Sequence, residues 1–181
     1  MSNRRAYIIV SLAVVFLCAA AVAIFVDHST DRSFRRFVIS VDMDKVQSIN
    51  ILRPLDGLSL EFVREGDDWN VVVPSGAMEA NSRKIESLLA YLVGVQAIRQ
   101  MSNSENVWEQ YGVIDSIATR VIVRGKKKTL ADFYFGNTDF DAQTQEISCY
   151  IRNAGDSRIY KVDGYLGPAL SGGFDAWVRK Y

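Results

Sequence analysis

Apolar and polar positions divide the chain into three stretches: an apolar run at the start, a short polar segment, and a long region whose periodicity switches between two and 3.6 residues. Ala6 to Val26 is uncharged and, Ser11 aside, apolar. At about 1.5 Å per residue, a helix of that length matches the roughly 30 Å hydrocarbon core of a bilayer, so the pattern predicts a transmembrane helix. Residues 1–5 then form a short cytoplasmic tail, 27–36 a polar stalk, and 37–181 the folded domain.

Within that domain, strands are predicted over Val46 to Leu52, over Leu58 to Val63, where Leu58, Leu60 and Phe62 alternate, and over Trp69 to Val73, where Trp69, Val71 and Val73 share a face. Asp56-Gly57 and Glu65-Gly66-Asp67 supply tight turns between them, and Pro74-Ser75-Gly76 is read as the end of this meander. Ile85, Leu88, Leu89, Leu92 and Val95 then recur at helical spacing behind Asn81, a suitable N-cap. A polar stretch from Arg99 to Asn106 leads to a helical turn over Glu105 to Tyr111, which Gly112 can close. Strand patterns resume at Thr119 to Arg124, Thr129 to Phe135, Glu146 to Arg152 and Arg158 to Val162, and a last short helix is predicted around Gly164 to Leu170. The order implies an α+β fold: antiparallel meanders with two packed helices and a loose internal duplication, preceded by the membrane helix.

Composition narrows the function more than it defines it. The chain has 181 residues, with 21 Lys plus Arg against 21 Asp plus Glu, so it lacks the positive field that non-specific nucleic-acid binding requires. A hydrophobic fraction of 49% argues for a packed core and against disorder. One histidine, His28, and two cysteines, Cys18 and Cys149, leave too few parts for a zinc site, a histidine-based triad or a disulfide scaffold. His28 is assigned no role. With Cys18 in the apolar run, the domain is expected to fold alone without metal or disulfide.

Two processing routes compete with a permanent anchor. One is signal cleavage at the small-x-small sites Ala19-Ala20-Ala21 or Ala21-Val22-Ala23; the other is lipidation of Cys18, where the bulky Leu17 stands in place of a small residue. Arg4 and Arg5 flank one end of the run, and Arg32, Arg35 and Arg36 the other. The compact Asn3-Arg4-Arg5 cluster favours an uncleaved signal anchor in the bacterial inner membrane, with the domain extracytoplasmic.

A set of short motifs, in order, resembles a known family: Asp42 to Ile51, Asp68-Trp69-Asn70-Val71 with Pro74, the Ala80-Asn81 helix start, Tyr111-Gly112, Phe135-Gly136, Tyr150-Ile151-Arg152 and Ile159-Tyr160-Lys161-Val162. Together they are similar to the bacterial domain-of-unknown-function family 4340, with the resemblance running from Phe37 to Trp177. Val113-Ile114-Asp115-Ser116 departs from the family pattern. The resemblance implies a protein anchored by one N-terminal helix, often encoded beside gliding-motility-type ABC transporter subunits, and no enzyme activity.

The remaining clusters have bland readings. Asn137-Thr138-Asp139-Phe140-Asp141 alternates oxygen side chains as calcium loops do, but Ala142 and Ser148 replace the glycine and glutamate an EF-hand needs, so it reads as a polar hairpin loop. Lys126, Lys127 and Lys128 read as a solvated hairpin tip that could touch anionic headgroups. Cys149 lies in an apolar strand, and Asp67-Asp68 and Asp139-Asp141 lie in predicted turns. Trp69, Trp108, Tyr150, Tyr160 and Trp177 read as core and interface aromatics, and the sheet edges and the tail Phe174 to Tyr181 as surfaces for a protein partner. No catalytic, cofactor-binding or metal-ligating residue is assigned and no cofactor is expected. The expected function is a membrane-anchored, extracytoplasmic interaction or scaffold domain of an envelope complex, the alternatives being a small-ligand or glycan-binding domain and a hydrolase.

Overall fold

The computed structural model describes residues 37–180. The described residues form eleven strands: β1 Phe37–Ile39, β2 Val46–Arg53, β3 Leu58–Glu65, β4 Asp68–Val73, β5 Gly76–Glu79, β6 Val95–Gln96, β7 Arg99–Ser102, β8 Thr119–Gly125, β9 Thr129–Asp141, β10 Glu146–Asn153 and β11 Ile159–Asp163. Nine of them make one sheet in the order β5-β4-β3-β2-β8-β9-β10-β11-β7, and β1 pairs separately with β6. Every pairing is antiparallel. Two meanders, β2–β5 and β8–β11, therefore meet at the β2–β8 seam, where Ile49 faces Val123 and Ile51 faces Val121.

Alternation decides which face is covered. Ile49, Ile51, Leu60, Phe62, Trp69, Val71, Val121, Val123 and Phe133 are all buried, which is the period-2 signature of a sheet packed on one side. Helix α1, Ser82–Leu92, closes that side with Ile85, Leu88, Leu89 and Leu92. Its start follows from Asn81, whose side-chain oxygen accepts the Lys84 N–H at 3.2 Å and so satisfies an otherwise unpaired donor. Two short helices, α2 at Leu166–Leu170 and α3 at Phe174–Trp177, add Leu166, Leu170 and Trp177 to the same core.

The opposite face is polar. Asn50 and Glu61 are cross-strand partners on it, as are Arg120 and Tyr134, and Tyr134 and Arg152. Arg120 forks onto Asp132 with contacts of 2.9 and 2.8 Å. The connector between β7 and β8 packs at one end of this face through the Arg152 guanidinium, which lies 3.8 Å from the Trp108 ring centroid and 4.1 Å from that of Tyr134. The connector also crosses β9 at close range. A Cβ on Gly136 would come within 2.3 Å of the Tyr111 carbonyl oxygen, and Gly112 sits at φ 68. The Tyr111-Gly112 and Phe135-Gly136 pairs are thus two sides of one backbone crossing, held by the Asn137 N–H donating to the Tyr111 oxygen at 2.9 Å.

Several expected boundaries shift. The chain does not leave the sheet at Pro74-Ser75-Gly76: β5 follows and pairs with β4, Val73 facing Gly76. Val95 is buried, but in β6 rather than in the helix. The polar stretch after Arg99 forms β7, and α3 is an additional helix. Asn137–Asp141 is not a loop but the far half of β9, where Phe140 faces Ile147.

The transmembrane helix expected over Ala6 to Val26 lies outside the described residues. Among the described residues no helix is long and apolar enough to cross a membrane. The longest of these, α1, is amphipathic and covers about 16 Å at 1.5 Å per residue, roughly half of a hydrocarbon core. For the described residues the fold class is corrected to an antiparallel α+β domain without a spanning helix, and the lipid bilayer as a partner and the single-pass, extracytoplasmic placement in the inner membrane gain no support from it.

Candidate functional site

The candidate site is a groove around a single turn of 3-10 helix, Met43–Lys45, just before β2. Asp42 shapes the turn by accepting the Asp44 N–H at 3.3 Å and the Lys45 ammonium. That pairing is exposed, and the ammonium beside it holds the Asp42 carboxyl below its ordinary range.

Three adjoining clefts share Asp44. The first, of about 420 Å³, lies between α1 and the β3–β4 hairpin and is lined by Arg64, Asp67, Trp69, Arg83, Glu86 and Ala90 among others. The second, of about 360 Å³, is lined by Asp44, Gln47, Arg64, Gly66 and Lys126. The third, of about 410 Å³, runs on beneath Lys126, Lys127 and Lys128 to Leu130. Arg64 is common to the first two clefts, and Gln47 and Lys126 to the last two. The ends of β3 and β8 are brought together because both flank β2, with Val63 opposite Ser48 and Ser48 opposite Arg124.

Arg64 is the side chain that sets this groove apart. It follows Leu60 and Phe62 at the same two-residue spacing, so it continues the core-facing phase of β3 to the point where the sheet emerges from under α1. Its Nε is buried and has no hydrogen-bond partner among the described residues. Burying a guanidinium N–H without an acceptor costs free energy, on the order of 1–3 kcal/mol, so a shift of the side chain that brings this N–H to an acceptor oxygen in the groove would be favourable. Sequence reading missed Arg64, although a charged residue in phase with Leu58, Leu60 and Phe62 was a visible signal.

A larger cleft, of about 650 Å³, borders Glu79, Asn81, Asp175 and Arg179. Three of its lining residues, Glu79, Asn81 and Arg179, dock the carboxy-terminal segment: Arg179 pairs with Glu79, the Arg179 N–H donates to the Glu79 oxygen at 3.0 Å, and the Asn81 N–H donates to the Trp177 oxygen at 2.8 Å. It is a packing seam.

The residues singled out in sequence fall in separate places. Lys126, Lys127 and Lys128 line the groove, and Asp67 lies at its α1 end, whereas Asp68 opens β4. Asp141 accepts the Gln143 and Thr144 N–H groups and caps the β9–β10 turn; these bonds hold its carboxyl below the ordinary range. Asp139 accepts from the Tyr150 hydroxyl at 3.2 Å and from Lys161 at 3.4 Å. Among the described residues, no cluster of His, Cys, Asp and Glu is placed to hold a metal ion. Phe140 is exposed, Trp69, Tyr160 and Trp177 are buried, and Trp108 and Tyr150 are half-buried. His28 and Cys18 lie outside the described residues.

The tail is corrected as a partner surface. Trp177 is fully buried and Val178 bridges to Ala80, so the segment covers part of the β5 edge of its own sheet. The envelope protein partners expected there find no support in this arrangement.

Cys149 is buried, and its Sγ donates to the Asp163 carbonyl oxygen at 3.1 Å. Burial, with a smaller contribution from the Asp163 charge, pushes its thiol up to about 12. Because the thiolate is the reactive form, Cys149 in a Cys18→Ser background should resist a thiol-specific reagent at pH 8 in the native protein and react fully in denaturant. Rapid labelling of the native protein, read by mass spectrometry, would contradict this placement.

Fold and site together define an antiparallel α+β domain with a charged groove at one end of its sheet. The chain belongs to the DUF4340 family, a domain of unknown function, whose family model matches residues 69–181. The match begins within β4, so β1 to β3, and Arg64 with them, precede it, and the resemblance expected from Phe37 is shown only from Trp69 onward. No curated protein and no solved structure matches the chain. Nothing in the family match carries the envelope or gliding-motility association, and the membrane-anchored scaffold reading is corrected to an α+β domain of unknown function, since neither the match nor the described residues supply an anchor.

Proposed function

We propose that this domain is a non-catalytic binding module that takes a small polar solute in the groove around Met43–Lys45. The observation that carries the reading is Arg64, whose buried Nε has no acceptor among the described residues and whose side chain lies where two clefts meet. Binding sites characteristically combine an apolar floor with a few convergent polar groups. Here Trp69 and Leu89 supply the floor, and Arg64, Gln47 and Asp44 the polar rim. What supports the non-catalytic part of the reading is that the groove's lining includes no cysteine or histidine nucleophile and that Ser87 donates its hydroxyl to the Arg83 carbonyl oxygen at 2.8 Å.

The test is a ligand-detected magnetic-resonance screen of small polar solutes on the full chain, with amide shifts mapped onto the fold. Shifts should concentrate at Asp44, Arg64 and Lys126. Ala90→Trp, an exposed position on α1 that borders the first cleft, should weaken binding of any hit placed there without altering the unfolding midpoint. Hits that map elsewhere, or turnover of a bound solute, would contradict the reading.

A further inference from the structure

The groove is not electrically uniform. In its second and third clefts Arg64, Lys126, Lys127 and Lys128 face one shared carboxylate, Asp44, while Asp67 and Glu86 border Arg64 in the first cleft, together with Arg83, and Lys45 is already paired with Asp42. None of Arg64, Lys126, Lys127 and Lys128 is ion-paired among the described residues, although other cations are: Arg53 with Asp56, Arg120 with Asp132 and Arg158 with Asp156. Repulsion among like charges gathered at one strand end is relieved by an anion, and the attraction scales with the anion's charge. A guanidinium offers planar, paired donors suited to oxyanions, and lysines serve as mobile point charges around it. Leu130 and the lysine stems lie next to these donors, leaving apolar surface for an organic substituent.

From this we infer that the Arg64–Lys126 half of the groove binds the phosphoryl group of a phosphate monoester, Arg64 holding its oxygens and Lys126 to Lys128 balancing its charge. The inference rests on the groove being a solute site and names the solute's class. A dianionic phosphoryl group matches the excess of cations better than a carboxylate, and its several oxygens can serve Arg64 and Lys126 at once.

Isothermal titration of the full chain with butyl phosphate, with butyrate as the matched carboxylate, tests it. Butyl phosphate should bind and butyrate bind about tenfold more weakly. Arg64→Gln should weaken butyl phosphate about tenfold and Lys126→Gln about threefold, with Lys180→Gln, in the carboxy-terminal seam, without effect. Affinity should fall as pH drops below about 6, where the phosphoryl dianion gains a proton, and fall again with added salt. Equal binding of butyrate, or an Arg64→Gln protein that binds like wild type, would overturn the inference. Vesicles of phosphatidylcholine with and without phosphatidic acid separate the sources. A phosphatidic-acid-dependent increment in capture that Arg64→Gln abolishes supports a lipid-borne phosphoryl group, and butyl phosphate binding without such an increment supports a free monoester. If other polar solutes shift the groove amides while butyl phosphate does not, the phosphoryl inference falls and the binding module stands. If nothing shifts them, both fall.

Discussion

Trp177→Ala will destabilise the domain by about 3–5 kcal/mol, the range for removing a large, fully buried aromatic side chain. Trp177 has no exposed surface and lies 5.3 Å from the Phe62 ring at an interplanar angle of 42°. Lys84 caps it, with Nζ 4.5 Å from the ring centroid and donating to the Ser171 oxygen at 2.8 Å. The ring also anchors the tail that covers β5, through the Ala80–Val178 bridge. Truncation therefore opens a cavity and releases an edge strand together, and an unpaired edge favours association between chains. The indole Nε1 is buried without a partner among the described residues, so it adds a desolvation cost that phenylalanine would not carry. Trp177→Phe should accordingly cost about 1 kcal/mol, far less than alanine. Guanidinium unfolding followed by circular dichroism measures both. Equal midpoints for the alanine variant and wild type would mean the tail is not part of the core.

How much of this was legible depends on whether a segment's own side chains pay for its conformation. Strand β3 announces itself because Leu60 and Phe62 alternate with Ser59 and Glu61 and are buried, and α1 because Ile85, Leu88, Leu89 and Leu92 form one stripe behind a capping asparagine. Strand β5 does not, since its first three residues are exposed and it forms by pairing with β4. The far half of β9 is similar: Asn137 to Asp141 has a turn-like composition, yet it remains extended because β10 pairs with it through Asp141 and Glu146. Tertiary pairing overrides local preference in both. The apolar run at Ala6 to Val26 was read from length and composition, and the placement drawn from it extended beyond anything the described fold carries. The groove was invisible for another reason. Its walls come from the Met43–Lys45 turn, the end of β3, α1 and the β8–β9 tip, which no short-range pattern joins. In the sequence its visible signs were the Lys126-Lys127-Lys128 run, which reads as a solvated tip, and the phase of Arg64.

Arg152→Ala will cost about 3–4 kcal/mol, and Arg152→Lys will recover less than half of that loss. Arg152 is only 3% exposed, and its guanidinium is sandwiched between Trp108 and Tyr134. Its Nε donates to the Val113 carbonyl oxygen at 3.1 Å, and its Nη2 to Asp115 Oδ1 at 2.9 Å. These contacts do not contribute equally. The Asp115 side chain is 71% exposed, so water screens that pair, and Asp115→Asn should cost less than about 1 kcal/mol even though Asp115 also accepts from the Tyr134 hydroxyl at 3.0 Å. The two ring faces, at roughly 1–2 kcal/mol each when desolvated, and the Val113 carbonyl, left without this donor, supply most of the expected loss. Lysine keeps the charge but not the plane, so it cannot stack against both rings and reach Val113 together. Because the connector is held by this clamp and by the Trp108 Nε1 donating to the Ser157 oxygen at 3.0 Å, its release should be local before it is global. Hydrogen exchange in Arg152→Ala should accelerate first at Val113 and Ala118 while Ile49 and Val123 stay protected. A stability loss that disappears in high salt would instead assign the effect to the Asp115 ion pair, and full rescue by lysine would do the same.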